Sequence, residues 1–438
     1  MHLTRRRADR PRANPFRFGD VAIGEQFTDR AAELDALLGD LRSGQNVLVL
    51  APRRFGKTSL IVAAAERLRK DDVLVAYADL LRVTTKTRFA EALAAALYDG
   101  LEPPIGRLVQ RAAEFFRDLS LRPKVTVNPD GTPSFELAAG ADERDIDATL
   151  DQLFALPDAV AKRRSRRVVV VLDEFQEIVA IAPDLPARMR AVFQFQPEVA
   201  HVYLGSRQHL LRRVFTDANQ PLYNSAKVMA LGPIVPEVFA AFITARYSAS
   251  GKTITPEATT ALLGYTNGHP HDTQKLASFT WALVPDGAAA TPETVEAAVG
   301  QILETDTARY TELWDSLATN QRRLLEALAR ADRPANPLTD AFRRAYRLGT
   351  YASADRALDA LFERGYVERV ARDAVVIPDV FLRLWLQEEP ATSIVSLVCG
   401  TCGEGFAAPV WHCADCDHHS HQDDPECGNC HRPRPSPA

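Results

Sequence analysis

The chain reads VLVL from Val47 to Leu50 and APRRFGKT from Ala51 to Thr58. Four consecutive apolar residues are typical of a short strand that is buried in a parallel sheet. The segment that follows, to about Lys70, has the apolar spacing of a helix. The turn between them therefore ends at a helix N-terminus, where free backbone N–H groups bind anions. This order predicts a phosphate-binding loop (P-loop) in an α/β domain.

The residues of this loop have distinct expected roles. We expect Lys57 to reach the β- and γ-phosphates of ATP, and the Thr58 hydroxyl to bind Mg²⁺. Ala51 stands where the usual pattern has glycine, and alanine is acceptable there if the turn needs no positive φ. The rest of the predicted nucleotide site consists of Pro52, Arg53, Arg54, Phe55, Gly56 and Ser59.

A pair of acids follows a second apolar run, from Val168 to Leu172. A Gly-Lys-Thr tripeptide also occurs at ordinary helix starts, and an acid pair also occurs at solvated strand ends. An acid at the end of a buried strand is costly, however, unless it meets a cation or hydrogen-bond donors. Asp173 is therefore assigned to Mg²⁺ or its bound water, and Glu174 to the base that polarises the attacking water. Together the two motifs predict an ATPase.

A third strand end adds two candidate residues. The apolar run from Val202 to Leu204 is followed by Gly205, Ser206 and Arg207. We expect Ser206 to lie near the nucleotide, and Arg207 to stabilise charge that develops on the γ-phosphate during hydrolysis. Arginines after strands are also commonly surface residues, so this alternative stays open.

The hydrophobic pattern divides the chain into five regions. The predicted fold class is α/β, a P-loop NTPase parallel sheet with a helical lid, followed by a winged helix and a small zinc-binding tail. A β-hairpin insertion is expected near 122–138. In chain order the regions are a basic disordered arm (1–13), the ATPase core (14–235), the helical lid (236–311), the winged helix (312–387) and the tail (388–438).

Two local expectations concern the helices. The apolar residues Leu34, Leu37, Leu38 and Leu41 recur at helical spacing, with Thr28 or Asp29 as the predicted cap. The segment from 236 to about 283 is predicted to be helical without strands. Both expectations rest on sequence periodicity alone.

Composition limits the partners of the chain. Of its 438 residues, 46% are hydrophobic and 25% are charged, and the net charge is −5. This balance gives no overall attraction to nucleic acid or to a membrane surface. No run of apolar residues reaches the length that spans a bilayer. We therefore expect a soluble, cytoplasmic protein with no membrane partner.

All six cysteines lie near the C-terminal end as three Cys-x-x-Cys pairs. Clustering of this kind indicates metal binding in a reducing compartment, not a disulfide framework. Two pairs complete a tetrahedral Zn²⁺ site. The expected zinc ligands are Cys399, Cys402, Cys413, Cys416, Cys427 and Cys430.

How these cysteines pair is open. The first two pairs would form a zinc ribbon, whereas the last two resemble a Ran-binding type of zinc finger, with Ser420 where that family has asparagine. A second ion would need histidine ligands, unless these histidines are solvent-exposed. The tail is more acidic than basic, which favours recognition of a protein partner over phosphate binding. The candidate histidines are His412, His418, His419, His421 and His431.

From 14 to about 386 the chain resembles the predominantly archaeal ATPase family, a branch of the STAND NTPases within the AAA+ and related P-loop group. The resemblance rests on several motifs besides the loop and the acid pair. They are Asn14-Pro15-Phe16, Phe18-Gly19, Phe27-Thr28-Asp29-Arg30, Glu33-Leu34, Gly205-Ser206-Arg207 and Gly268-His269-Pro270.

The resemblance implies further site residues and a mode of action. It places Arg30 near the nucleotide, and it implies that Gly268, His269 and Pro270 in the lid sense adenine or phosphate. Asp29 stands where the family commonly has glycine. The family implies a nucleotide-dependent switch with slow hydrolysis, and nucleotide-dependent association of copies of the chain is a further expectation. The protein partner is unknown.

Two alternatives to the switch remain. A winged helix can insert its third helix into the DNA major groove, and a DNA-acting AAA+ ATPase related to origin-recognition proteins is one alternative. The predicted third helix carries Asp355, Arg356, Asp359, Glu363 and Arg364. This near balance of charge is poor for a groove reader, which should be rich in cations. The other alternative is a scaffold that binds nucleotide for stability and does not hydrolyse it.

Overall fold

The computed structural model describes residues 13–22, 24, 30–102, 112, 114–127, 133–137, 140, 142–331, 334–371 and 374–388, and four short backbone segments in the tail. The chain forms two compact units, Met1–Ile302 and Leu303–Ala438. Nearly all of the predicted basic arm, and all six cysteines of the predicted zinc tail, lie outside the described residues.

The first unit alternates strands and helices before it becomes mainly helical. Its elements, in chain order, are α1 (Ala31–Arg42), β1 (Val47–Leu50), α2 (Lys57–Lys70), β2 (Leu74–Asp79), α3 (Lys86–Leu101), β3 (Lys124–Val127), β4 (Pro133–Glu136), α4 (Glu143–Arg164), β5 (Val168–Asp173), α5 (Gln176–Ile181), α6 (Leu185–Phe193), β6 (Val199–Gly205), α7 (Gln208–Thr216), β7 (Lys227–Ala230), α8 (Pro236–Ala249), β8 (Thr253–Ile254), α9 (Pro256–Thr266), α10 (Pro270–Leu283) and β9 (Ala289–Ala290).

A five-stranded parallel sheet in the order β2-β5-β6-β1-β7 forms the centre of this unit. Alternate residues of each strand face opposite sides of the sheet. Leu48 and Val170 belong to the core cluster that includes α3 and α4. Val49 and Val171 belong to the cluster that includes α1 and α2. Helices therefore cover both faces, which explains why the central strands are continuous apolar runs.

The first helix confirms the predicted periodicity but not the predicted cap. All four predicted positions, Leu34, Leu37, Leu38 and Leu41, are buried. The N-cap residue is Arg30, whose side chain makes no capping bond, so the prediction of Thr28 or Asp29 as cap is wrong. The Arg30 guanidinium bonds backbone carbonyl groups elsewhere in the unit.

The predicted hairpin is present as the antiparallel pair β3–β4. Phe135 of β4 is buried and its ring contacts Tyr98 of α3 and Phe116. The insertion therefore contributes to the core on one face of the sheet.

The segment after the sheet consists mainly of α8, α9 and α10. The expectation that it contains no strand is wrong in one detail, because β8 pairs in parallel with β9. Thr253 N–H and Thr255 N–H donate to the carbonyl oxygens of Ala288 and Ala290, at 3.2 and 3.1 Å. A two-residue strand is too short to leave a periodic signal in sequence.

Helix α11 (Pro292–Asp315) contains the division between the two units, and the predicted lid boundary at 311 also falls inside it. The second unit continues with three helices, a two-stranded wing and a final helix, which is the predicted winged helix. These are α12 (Thr319–Arg330), α13 (Asp340–Ala345), α14 (Tyr351–Arg364), β10 (Glu368–Ala371), β11 (Ala374–Val376) and α15 (Val380–Glu388).

Four short strands follow in the tail and form two antiparallel pairs. Within the described part of the chain, no helix is both long and apolar enough to cross a membrane. The tail strands are β12 (Leu397–Val398), β13 (Gly405–Phe406), β14 (Val410–His412) and β15 (His419–His421).

Candidate functional site

A cavity of about 460 Å³ opens where β1, β5 and β6 end. Lys57 and Thr58 after β1, Glu174 after β5 and Ser206 after β6 all line it. Ligands of open parallel sheets bind at this edge, outside the carboxyl ends of the strands. The structure thus brings together residues that the sequence places about 150 positions apart.

The loop before α2 has the backbone of an anion-binding turn. Gly56, the N-cap residue of α2, has φ 81° and Arg54 has φ 63°. Ala51 is not among the residues with positive φ, so alanine suits this position. Lys57 Nζ donates to the carbonyl oxygens of Ala51 and Pro52, at 2.8 and 2.9 Å. The lysine side chain therefore lies along the loop in which it is predicted to bind phosphate.

Most of the predicted loop residues line the cavity. Pro52 does not, and takes part through its carbonyl oxygen. The lining residues are Arg53, Arg54, Phe55, Gly56, Lys57, Thr58 and Ser59.

Asp173 is the predicted Mg²⁺ ligand, and it is only 7% exposed. The Thr58 hydroxyl donates to its Oδ2 atom at 3.4 Å, so the two predicted Mg²⁺ ligands are adjacent. The Tyr77 hydroxyl donates to the same oxygen. A hydroxyl and a carboxylate beside a phosphate-binding loop are the oxygen ligands that Mg²⁺ prefers. These residues fit the ion.

The electrostatics of this pair favour a bound cation. Burial raises the pKa of the Asp173 carboxyl, although hydrogen bonds from Tyr77 and from the Glu174 N–H act in the opposite direction. Burial and the Asp173 charge also raise the pKa of Tyr77 well above its ordinary value, so this phenol remains a donor. A divalent cation next to Asp173 would favour the charged carboxylate.

Glu174 is held by groups from two neighbouring segments. Its Oε2 atom accepts from the Ser206 N–H at 3.2 Å and from the Ser206 hydroxyl at 2.9 Å. The Gln176 side-chain amide donates to the same oxygen. Glu174 has φ 52°, a left-handed conformation that is uncommon outside glycine. Strain of this kind is frequent at functional sites.

Arg207 is separate from this group. Its side chain is exposed, and it is not among the residues that line the cavity. It occupies the N-cap position of α7 without a side-chain capping bond. Its role near the γ-phosphate stays a prediction.

Arg30 lines the cavity and is only 3% exposed. Its guanidinium donates to Gly232 O at 2.7 Å, to Phe55 O at 3.2 Å and to the Glu33 carboxylate at 2.8 Å. It therefore fixes the phosphate-binding loop to the segment after β7.

The Gly268-His269-Pro270 segment approaches the site from the lid. Gly268 has φ 70°, and a Cβ atom there would lie 2.3 Å from Ile234 O, so only glycine fits. The His269 ring packs edge-on against Phe55, with centroids 4.6 Å apart. Pro270 lines the cavity, whereas Gly268 and His269 support it from behind the lining.

Sequence reasoning missed several residues of the site. Tyr77 lies in the middle of an ordinary apolar strand, so no sequence signal marks it. His271, Gln274 and Ile234 line the cavity without a motif of their own. His271 Nδ1 lies 2.9 Å from Asp272 Oδ1, which fixes the orientation of its ring.

Residues 13–22, here called the N-terminal strap, were also missed as part of the cavity wall. Asn14 Nδ2 donates to Ser278 O and Oγ, each at 3.0 Å, and the Phe16 ring packs 5.4 Å from Tyr247. At the other end, Ala22 N–H donates to the Ser59 hydroxyl at 3.0 Å. The strap connects lid helices α8 and α10 with α2, and residues 17–22 line the cavity.

One solved structure shares this architecture, and two others match at TM-scores below 0.5. The Walker-type ATPase PABY2304 of Pyrococcus abyssi is 15% identical, with a TM-score of 0.59, and the match covers 85% of this chain and 99% of that one. The Aeropyrum pernix ORC2 protein, in its ADPNP–ADP complexes, is 15% identical with a TM-score of 0.49, covering 85% and 98%. The A. pernix ORC1 protein in complex with DNA is 16% identical with a TM-score of 0.45, covering 84% and 94%.

Comparison with curated proteins finds no match. Two families match the sequence in separate regions. A "probable winged helix domain" matches residues 308–388. The family described as "ATPase domain predominantly from Archaea" matches residues 27–275, which is more than half of the chain. The chain therefore belongs to the family of ATPase domains found predominantly in Archaea, with a winged helix domain after it.

Proposed function

We propose that the chain is a nucleotide-dependent switch that binds ATP with Mg²⁺ and hydrolyses it slowly. The observation that carries this proposal is the adjacency of Thr58, Asp173 and Glu174 beside the phosphate-binding loop. Loop, hydroxyl, metal-binding acid and base are the parts that phosphoryl transfer needs.

In this mechanism the loop N–H groups and the N-terminus of α2 bind the phosphates. Lys57 exchanges the Ala51 and Pro52 carbonyl oxygens for phosphate oxygens. Thr58 and Asp173 would hold Mg²⁺, which neutralises phosphate charge when it is bound. Tyr77 keeps the Asp173 carboxylate oriented through its hydrogen bond to Oδ2.

Glu174 acts on the attacking water. The water oxygen forms a bond to the γ-phosphorus, the bond from that phosphorus to the bridging oxygen breaks, and Glu174 accepts a proton from the water. The Glu174 Oε2 atom already accepts three hydrogen bonds, from Ser206 and Gln176. These bonds orient the carboxylate through Oε2, and its other oxygen, Oε1, is the atom that we propose orients the water and accepts the proton.

The strap is the element that we propose communicates nucleotide state. It joins the α2 residue Ser59, next to the predicted Mg²⁺ ligand Thr58, to the lid helices. Nucleotide that fills the cavity contacts the strap and the lid residues Pro270, His271 and Gln274 together. Helix α11, which follows the lid in sequence, continues into the winged-helix unit.

We also propose that the tail binds at least one Zn²⁺ and docks a protein partner. The spacing of the three Cys-x-x-Cys pairs supports this part of the proposal. Among the described residues there is no cluster of metal-binding side chains, and the cysteines are outside that set. Elemental analysis of the purified full chain should find one or two zinc ions per chain, and a zinc-free preparation would contradict this part.

Glu174→Gln tests the hydrolytic part of the proposal. The amide keeps the shape of the side chain but cannot accept the proton, so ATP turnover should fall by about 100-fold or more. ATP affinity, measured by titration calorimetry, should stay within about threefold of the wild type, because Glu174 is not assigned to phosphate binding. Glu66→Gln, on the exposed side of α2, is the matched control and should change neither value.

The outcomes separate the proposal from a non-hydrolysing scaffold. If the wild-type chain binds ATP but does not turn it over above the rate of Glu174→Gln, the scaffold is correct. If Glu174→Gln hydrolyses ATP at the wild-type rate, Glu174 is not the base and the mechanism fails.

A further inference from the structure

The second unit contains a cationic cavity of about 570 Å³ that has no part in the proposed nucleotide chemistry. Arg343, Arg344, Arg347, Asp340 and Gly349 line it. Three guanidinium groups and one carboxylate give this lining a formal charge of +2. Arginine stays protonated at all physiological pH values, so the charge is permanent.

The arginines differ in how they are held. Arg343 donates to Leu338 O at 3.2 Å and to Gly349 O at 3.1 Å, and it pairs with the Asp340 carboxylate. Its charge is therefore offset and its role is structural. Arg344 donates through Nε to Asp340 O at 3.2 Å. Among the described residues, neither Arg344 nor Arg347 pairs with a carboxylate, so these two exposed side chains supply the surplus charge.

Arg344 lies in the last turn of α13, and Arg347 lies in the turn that follows this helix. Arg347 has φ 52°, in the turn that follows α13. The N–H of Leu348 closes this turn by donating to Arg343 O at 2.9 Å. Because Arg343 also bonds the carbonyl groups of Leu338 and Gly349, the backbone that carries Arg344 and Arg347 is already braced before an anion binds.

The surrounding residues favour a nucleic-acid phosphate backbone as the anion. The guanidinium group suits phosphate because its donors are planar and bidentate. Tyr351 is half-exposed beside the cavity, and its ring centroid lies 5.9 Å from Arg343 Cζ. The cavity lies in a winged helix, a fold that docks on duplex DNA with several elements against the backbone.

The third helix cannot add base recognition of the usual kind. On α14 the exposed Asp359 and the acid Glu363 would face the negative potential of the groove alongside Arg356. We therefore propose that Arg344 and Arg347 bind backbone phosphates of duplex DNA without reading its sequence. Binding of this kind is strongly salt-dependent, because each neutralised phosphate releases counterions.

The test uses the full-length chain and two unrelated duplexes of about 20 base pairs, labelled for fluorescence anisotropy, over roughly 50 to 300 mM KCl. The wild type should bind both duplexes with similar affinity. Arg344→Ala/Arg347→Ala should bind about tenfold more weakly, and its slope of log affinity against log salt should be smaller by about 2. Arg344→Lys/Arg347→Lys should recover most of the slope, because it keeps both charges.

Arg356→Ala, an exposed arginine on α14, is the matched control and should change affinity less than about twofold. Unchanged thermal unfolding and ATP binding show that the variants are folded. Wild-type affinity in the double alanine variant would overturn the proposal, and so would an equal loss in Arg356→Ala. Displacement of the duplex by inorganic phosphate at matched ionic strength would also overturn it, since the site would then be a free-phosphate site.

Discussion

Glu174 combines a strained backbone conformation with a side chain that is held by hydrogen bonds. A non-glycine residue in the left-handed region costs about 1 kcal/mol or more. Glu174 adopts this conformation with φ 52°, and Ser206 and Gln176 hold its carboxylate. These contacts fix the carboxylate of Glu174, the proposed base, at the end of β5 with its Oε2 atom already occupied. The geometry of this residue therefore gives the carboxylate a fixed orientation at the edge of the sheet.

His201 is a single buried residue outside the site whose environment disfavours its protonated form. It lies in β6, is fully buried, and stacks on Phe193 with ring centroids 3.8 Å apart. Neither ring nitrogen has a hydrogen-bond partner among the described residues. Burial lowers the pKa of His201 to about 3. The neutral imidazole is therefore the form that the folded state accepts.

This gives a pH-dependent stability with a defined sign. The folded-state pKa lies below the unfolded value of about 6.5, so the unfolded chain binds more protons between these two values. Stability from this residue is complete above pH ~6.5 and is lost as the pH falls towards ~3. Between pH ~7 and ~5 the loss should be about 2 kcal/mol.

The comparison of the wild type with His201→Phe measures this effect. Phenylalanine keeps an aromatic ring against Phe193 and cannot be protonated. Urea unfolding of the first unit should show that the wild type loses unfolding free energy as the pH falls below ~6.5. In the variant, the slope of unfolding free energy against pH should be smaller by the equivalent of about one proton per molecule. The two proteins should have parallel stability profiles above pH ~6.5, which serves as the internal control. Parallel profiles below that pH as well would contradict the assignment.

At the scale of elements, the N-terminal strap is the part whose removal should matter most. Phe16 is only 3% exposed and packs against Tyr247 and Phe242 of α8. Phe16→Ala should destabilise the first unit by about 3 kcal/mol, because it removes a buried ring and leaves a cavity. ATP affinity should fall as well, since residues 17–22 line the nucleotide cavity.

Denaturant unfolding and ATP titration of the same variant test both effects. Phe195→Ala provides the matched control, because that ring is 74% exposed and its loss should cost little. If Phe16→Ala has the stability and ATP affinity of Phe195→Ala, the strap does not support the site.

The elements also show what local sequence can and cannot reveal. The P-loop, the acid pair and the wing were predictable, because each is a short stretch whose pattern contains its own structural context. The strap contact between Asn14 and Ser278 joins residues 264 positions apart, and no local period records it. Tyr77 was hidden for the same reason, since its partner Asp173 lies on a neighbouring strand.

Two local predictions failed or stayed open for physical reasons. Arg30, and not Thr28 or Asp29, stands at the start of α1, and its side chain bonds the carbonyl oxygens of Phe55 and Gly232 instead of capping the helix. Arg207 follows a strand as the pattern requires, but the pattern does not determine which way an exposed side chain lies. Local rules therefore gave the phosphate side of the site, whereas the lid segment was indicated only by the family resemblance.

At the scale of the whole molecule, the chain combines two units with different electrostatic tasks. The first presents a phosphate-binding loop and two acids to a nucleotide. The second presents Arg344 at the end of α13 and Arg347 in the turn after it, which suits a polyanion. The net charge of the whole chain is −5, so it does not reveal a local cationic patch. Composition alone therefore could not have indicated the second site.

The central claim is that the loop before α2 binds the phosphates of ATP, and the affinity of Lys57→Ala for Mg·ATP tests it most directly. Titration calorimetry should find binding about 100-fold weaker than in the wild type, because a charge-assisted phosphate contact is lost. Lys70→Ala, an exposed lysine at the other end of the same helix, should bind as the wild type does. Wild-type affinity in Lys57→Ala would contradict the account.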